Sequence, residues 1–262
     1  YVGARLASAR IHFMPLLREN NFLPDFDAIS DDIADQAKMM WLSYPNNPTG
    51  AIAELDFFDR AIEFAKKHEI VIVHDAPYTD LTFDGFVAPS ILQAKGAREV
   101  AIEFNSLSKT YNMAGWRVGM AVGNADIIKY LARYKSQIDT SMFIPVMEAA
   151  EVALTSDQSW IADRNKIYEE RRDVVYEGLK AAGFELELPK AALYLWARLP
   201  EGYHDDMQYC ADLLNDTGVS VTPGSIYGPS GKDYIRISII TPSQQIAKAM
   251  DRLVEWTKAN KG

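Results

Sequence analysis

One cysteine, Cys210, is present in 262 residues. A lone thiol excludes an internal disulfide and any metal site built from several cysteines, and it suits a reducing compartment, so a cytoplasmic location is expected. No apolar run approaches the ~18 residues of a membrane span, and no basic-then-apolar leader opens the chain. Basic runs are lacking too. With 27 Lys and Arg against 36 Asp and Glu, the net charge is −9, which repels a nucleic-acid backbone. His12, His68, His74 and His204 are scattered without ligand spacing, so no metal is expected. Neither a membrane nor a nucleic acid is an expected partner. There is no repeat and no low-complexity tract.

What the chain does have is the composition of a water-soluble globular protein, 48% hydrophobic and 24% charged, with length for one large domain or two smaller ones. Strand and helix signals alternate over the first half: strands at 39–42, 70–74, 99–104 and 118–122, and a helix over 54–69. In that helix Leu55, Phe58, Ala61, Ile62 and Ala65 recur at three- and four-residue spacing, the single apolar stripe that covers a sheet. The pattern predicts an α/β fold over 1–155, a mostly parallel sheet flanked by helices. A long charged connecting helix is expected over 156–183, with Trp160, Ile167, Val174, Val175 and Leu179 inward and Gly183 closing it. A smaller C-terminal α+β domain follows over 184–262, with strands at 193–199 and 234–240 and helices at 205–215 and 244–259.

Chemistry concentrates in 105–119. Lys109 stands among Ser106, Ser108 and Thr110, with Arg117 eight residues on and Gly115 and Gly119 permitting tight turns. That equipment can hold a phosphate beside a reactive amine. The strand at 70–74 delivers the Asp75 carboxylate at its C-terminal end, where open parallel sheets place ligand chemistry. A lysine for a Schiff base and a distant acidic partner for a pyridine nitrogen suggest pyridoxal phosphate.

Four segments carry a resemblance: Tyr44-Pro45-Asn46-Asn47-Pro48-Thr49-Gly50, Asp75-Ala76-Pro77-Tyr78, Ser106-Leu107-Ser108-Lys109 and Tyr234-Ile235-Arg236-Ile237-Ser238. Their order and spacing resemble the fold-type I, class I/II pyridoxal-phosphate aminotransferases. The wording of 103–113, and of Val221-Thr222-Pro223-Gly224, is most similar to the LL-diaminopimelate aminotransferase branch. The resemblance implies transfer of an amino group between an amino acid and a 2-oxo acid, with glutamate and 2-oxoglutarate as the exchange pair. It further implies that Lys109 carries the cofactor and shuttles the α-proton, while Asp75 keeps the pyridine nitrogen protonated. Tyr78 and Asn47 would bond the phenolic oxygen, Ser106, Ser108 and Arg117 the phosphate, and Arg236 the substrate carboxylate, with Asn47 also at the substrate. A homodimer with shared sites is implied as well. Family chains begin well before Tyr1, so the expectation is that an N-terminal portion, with a phosphate loop and a ring-stacking aromatic, is missing and that the site is incomplete. An inactive fragment and an aspartate, alanine or aromatic specificity are the alternatives.

Each residue has a plainer reading. A lone lysine is usually a solvated charge. Asp75 suits a turn before Pro77, and Asn46 and Asn47 suit the turn before Pro48, so Asn47 is expected to serve both turn and site. Arg236 between Ile235 and Ile237 fits the polar face of a half-buried strand. Trp116, Trp160, Trp196, Tyr194 and Tyr227 read as core or pocket wall, and Cys210 as a packed residue. Ser106-Leu107-Ser108-Lys109 also fits the Ser-x-x-Lys element of serine hydrolases, but Ser-Asp-Asn and Lys-Thr-Gly are lacking.

Overall fold

The computed structural model describes residues 2–260. In chain order its main elements are α1 (Val2–Leu6), α2 (Asp31–Gln36), β1 (Met39–Ser43), α3 (Leu55–Lys67), β2 (Val71–Asp75), α4 (Ala97–Val100), β3 (Ala101–Ser106), α5 (Leu107–Thr110), β4 (Gly119–Gly123), α6 (Ala125–Lys135) and α7 (Ile144–Thr155). There follow α8 (Trp160–Ala181), β5 (Tyr194–Arg198), α9 (Asp206–Thr217), β6 (Thr222–Pro223), β7 (Tyr234–Ser238) and α10 (Ser243–Ala259). Tyr1 and Gly262, the outer bounds of the expected domains, lie outside the described residues.

The first sheet runs β1-β2-β3-β4, parallel across the first three strands and antiparallel at β4. Ser43 is level with Asp75, and Asp75 with Phe104, so the chain leaves all three parallel strands at one edge. α3 covers this sheet through Phe57, Phe58, Ala61, Ile62 and Ala65, with Phe57 in the place expected for Leu55, which is 39% exposed. Fully burying side chains of this size stabilises by about 1.5–3 kcal/mol each. The strand expected from 99 begins at Ala101, because 97–100 form a helical turn after Gly96 (φ 79°) and Asn124 Nδ2 bonds its carbonyls at Arg98 and Glu99. The same Asn124 caps α6 through its oxygen, at 3.0 Å from the Asp126 and Ile127 amides.

The second sheet is antiparallel, in the order β5-β7-β6. Leu195, Ala197, Ile235 and Ile237 face a core shared with Val175, Leu179, Leu213 and Leu253. Alternation sends Tyr194, Trp196, Tyr234, Arg236 and Ser238 to the other face. Cys210 is packed in α9, where burial pushes its thiol up to about 12. Tyr78, Leu81 and Phe83 join this second core although they follow β2 of the first sheet. Main-chain bonds from Phe83 N–H to Lys190 O (2.8 Å) and from Ala192 N–H to Leu81 O (2.9 Å) hold them there.

α8 corrects one expectation. Trp160, Ile167 and Val174 are 38%, 46% and 44% exposed, and the inward stripe is Arg164, Tyr168, Arg172, Val175 and Leu179. Two arginines hold inward positions because each finds acceptors there. Arg172 meets Asp84 at 2.6 Å, Asp173 at 2.7 Å and the Pro189 carbonyl at 3.1 Å, over the Phe83 ring. At the other end Gly183 (φ 89°) closes the helix as expected: Gly183 N–H donates to Lys180 O and Phe184 N–H to Leu179 O, both at 3.0 Å.

Arg172→Ala should therefore lower the unfolding free energy by about 3–5 kcal/mol in urea titrations, through severed bonds and a cavity. Arg172→Met should cost less, since the stem still packs and Asp84, 42% exposed at its side chain, can hydrate.

Candidate active site

The loops after β1 and β2 meet the outer face of the second sheet, and the turn after β3 brings Lys109 over Tyr78. Asp75 ends β2, exposed, and its carboxylate makes no hydrogen bond or ion pair among the described residues. Partial desolvation raises its carboxyl above the usual value, against the opposing pull of His74. The adjacent His74 points to the other side and is fully buried, with Nδ1 3.1 Å from Glu103 and Nε2 3.0 Å from the Tyr44 carbonyl. Burial alone would raise Glu103, but bonds from His74, Ser90 and the Ile91 amide outweigh it and hold the carboxyl below its ordinary value.

Tyr78 is buried, its hydroxyl 3.2 Å from that of Tyr194, and the Lys109 ammonium stands 5.8 Å from its ring centre. Burial pushes the Tyr78 phenol far up, the Tyr194 bond adds to this, and Arg236 pulls against it. The Arg236 guanidinium lies 4.2 Å from the Tyr194 ring centre and 5.1 Å from that of Tyr227, and Nη1 donates to Asn47 Oδ1 at 2.9 Å. Its Nε and the neighbouring Ser238 Oγ are buried without a hydrogen-bond partner. Lys109, Tyr78, Arg236 and Asn47 are thus joined through Tyr194.

The turn chemistry expected of Asn47 falls instead to Asn46. Its amide donates to Ser43 O (3.0 Å), and its oxygen accepts from the Thr49 amide (3.2 Å) and hydroxyl (2.7 Å). The Asn47 side chain is thereby left for Arg236. Gly50 (φ 70°) closes this loop against the second sheet, where a Cβ would come within 2.9 Å of Pro189 and 3.1 Å of the Tyr194 carbonyl. No larger residue fits that approach.

Ser106 and Ser108 open α5, with Ser106 Oγ accepting from the Ser108 amide at 3.2 Å. Leu107 N–H bonds Val118 O at 3.2 Å, which brings Arg117 beside them. Arg117 is exposed, and its Nη1 donates to Ala114 O at 3.0 Å. Ser106 serves as a cap, and no hydrogen bond joins it to Lys109 among the described residues, so a serine nucleophile activated by that lysine has no geometry here.

The donor set fits pyridoxal phosphate. Among the described residues an unpaired carboxylate at Asp75 suits a protonated ring nitrogen, an amine at Lys109 free of acceptors suits an aldehyde, and two hydroxyls with Arg117 suit a phosphate. Clefts of about 620 Å³ by Arg18 and Tyr234 and about 650 Å³ between α8 and α10 lie elsewhere, and neither is lined by Lys109, Asp75 or Arg236. Sequence reasoning missed the central place of Tyr194 and Arg164. Tyr194 carried one usable signal, its alternation with Trp196 on a strand opposite Arg236.

The family described as aminotransferase class I and II matches residues 1–253. An LL-diaminopimelate aminotransferase of Dehalococcoides mccartyi is 49% identical over 255 residues, covering 97% of this chain and 66% of its own length. Another from Moorella thermoacetica is 47% identical over 252 residues, covering 96% and 64%. The chain thus spans just under two thirds of the length of these curated relatives. Among solved structures, apo-BacF of Bacillus subtilis aligns with a TM-score of 0.93 at 38% identity, covering 97% of this chain and 68% of that one.

A raised Asp75 carboxyl means that the folded chain holds this proton more tightly than the unfolded chain does. Stability from it is present below the ordinary aspartate range near ~4 and is lost as the pH rises through the folded value. In urea titrations without cofactor, Asp75→Asn should be more stable than the parent at pH 7, and the gap should close at pH 3.

Proposed function

The chain belongs to the class I and II aminotransferases, and we propose that it binds pyridoxal phosphate and moves an amino group between an amino acid and a 2-oxo acid. The observation that carries this reading is the convergence of an unpaired carboxylate at Asp75, a free amine at Lys109 and an arginine at Arg236 with an unmet donor. When bound, pyridoxal phosphate supplies an electron sink for the charge that develops at the substrate α-carbon.

Lys109 Nζ accepts the α-proton and returns it, a task for which a positioned amine contributes about 10²–10⁴-fold. Asp75 holds a proton on the ring nitrogen by its negative charge. Tyr78, fixed by Tyr194, and Asn47 orient the ring edge, while Ser106, Ser108 and Arg117 anchor the phosphate. Arg236 takes the substrate carboxylate on its guanidinium, which the Nη1 bond to Asn47 already steadies.

The names of the two curated relatives favour LL-diaminopimelate as amino donor, and the family resemblance of the sequence adds 2-oxoglutarate as acceptor. A homodimer is part of the reading. Tyr130, Tyr134, Ile138, Phe143 and Ile144 expose apolar surface along one stretch, as a subunit contact does. The sedimentation coefficient should be that of a dimer, and a monodisperse active monomer would remove this part.

Lys109→Ala should lower turnover at least about 10³-fold and abolish the visible absorbance that develops on adding cofactor. Wild-type turnover in that variant would overturn the mechanism. Arg236→Lys should raise KM for the amino acid and restore function only in part relative to Arg236→Ala, because an ammonium lacks the planar fork. Among LL-diaminopimelate, aspartate, alanine and phenylalanine, kcat/KM with 2-oxoglutarate should be highest for LL-diaminopimelate. A preference for phenylalanine or alanine would move the chain to another branch of the family.

A further inference from the structure

Arg164 of α8 is 8% exposed and has no part in the proposed chemistry. No carboxylate lies within hydrogen-bond reach of it among the described residues, and burial pulls its guanidinium below the ordinary arginine value. Its acceptors are main-chain carbonyls. Nη1 donates to Lys109 O at 3.1 Å and to Thr110 O, and Nη2 to Asp80 O at 3.2 Å. Asn165 completes the clamp: its oxygen accepts from Arg164 Nη2 at 2.8 Å, and its amide donates to Asp80 O at 2.8 Å. Thr110 Oγ1 donates to Asp80 Oδ2 at 2.9 Å. The rings of Trp160 and Tyr168 flank the guanidinium, at 5.4 and 6.0 Å.

Two of the three carbonyls to which Arg164 donates lie at the end of α5, which an isolated helical turn leaves without partners and which carry the negative end of its dipole. They belong to Lys109 itself and the residue after it. A desolvated cation is an expensive way to fasten a loop, since apolar packing of equal volume would be at least as stable. What the cation adds is direction: a planar fork sets the positions of three carbonyl oxygens at once. Those oxygens fix the backbone from which the Lys109 side chain reaches toward Tyr78, and they join it to Asp80, two residues past Tyr78.

We propose that Arg164 is a positioning residue for Lys109, locking the lysine-bearing turn and the Tyr78 segment to α8. α8 also sends Val175 and Leu179 into the core beneath β7, so the amine and Arg236 are referenced to one rigid helix. The proposal rests on the reading of Lys109 as the reactive amine.

Hydrogen exchange of the cofactor-free chain tests the lock without reference to turnover. In Arg164→Met, amides of 107–113 should exchange at least about tenfold faster, including that of Tyr111, which bonds Leu107 O at 3.1 Å. Amides of β5 and β7 should be unchanged. With cofactor, kcat should fall while KM for the amino acid holds, and Arg164→Lys should recover part of both effects. Unchanged exchange over 107–113 overturns the proposal. So does exchange that quickens everywhere together with a lower urea midpoint, which marks a general structural role, and so does local quickening at constant kcat. Lys109→Ala turning over at the wild-type rate would instead remove the assignment of Lys109, and the catalytic meaning of the lock with it.

Discussion

Residues 81–83 and 190–192 exchange main-chain hydrogen bonds, and through them a segment that starts at the edge of the first sheet is sewn into the core of the second. Everything at the site depends on this crossing. Leu81 and Phe83 anchor it by burial, Arg172 ties it to α8 through Asp84, and Tyr78 is thereby set against Tyr194. Without the crossing, Asp75 and Lys109 would sit on one sheet and Arg236 on another, with their separation held less firmly. The Asn47 to Arg236 bond and the close approach of Gly50 to Pro189 are second and third stitches along the same seam.

The two neighbours at the end of β2 show how differently adjacent residues can be treated. His74 and Glu103 are buried with Ser90 and Ile91 supplying further bonds, as a polar cluster in a core must be. Asp75, exposed at the strand end, leaves its carboxylate without a partner among the described residues. The side of the strand that the fold leaves to solvent is the side to which the proposed cofactor is assigned.

Much of this was legible in the sequence because the signals are local. A β-branched run ending in Asp75, the period-2 alternation around Arg236 and the cluster around Lys109 each lie within a few residues. What was not legible depends on partners far along the chain. Arg164 meets carbonyls 54 and 84 residues away, and Arg172 meets Asp84 at a separation of 88. Because these arginines occupy inward positions of α8, a hydrophobic count assigns the stripe to Trp160, Ile167 and Val174, which are exposed. The same limit hid the sharing of labour between Asn46 and Asn47, since nothing in the dipeptide says which amide meets the second sheet.

The setting of Arg236 has a consequence for how fast and how selectively a carboxylate is captured. A mobile arginine loses about 0.5–1.5 kcal/mol of rotamer freedom when a ligand immobilises it. Here the guanidinium is already sandwiched by Tyr194 and Tyr227 and steadied by Asn47, so folding has carried out that ordering before any ligand comes. In the role proposed for Arg236, a carboxylate reaching the guanidinium would meet a receptor with little freedom left to surrender. Such a grip is indifferent to the rest of the ligand, which leaves the surrounding walls free to diverge in what they admit while the handhold stays the same.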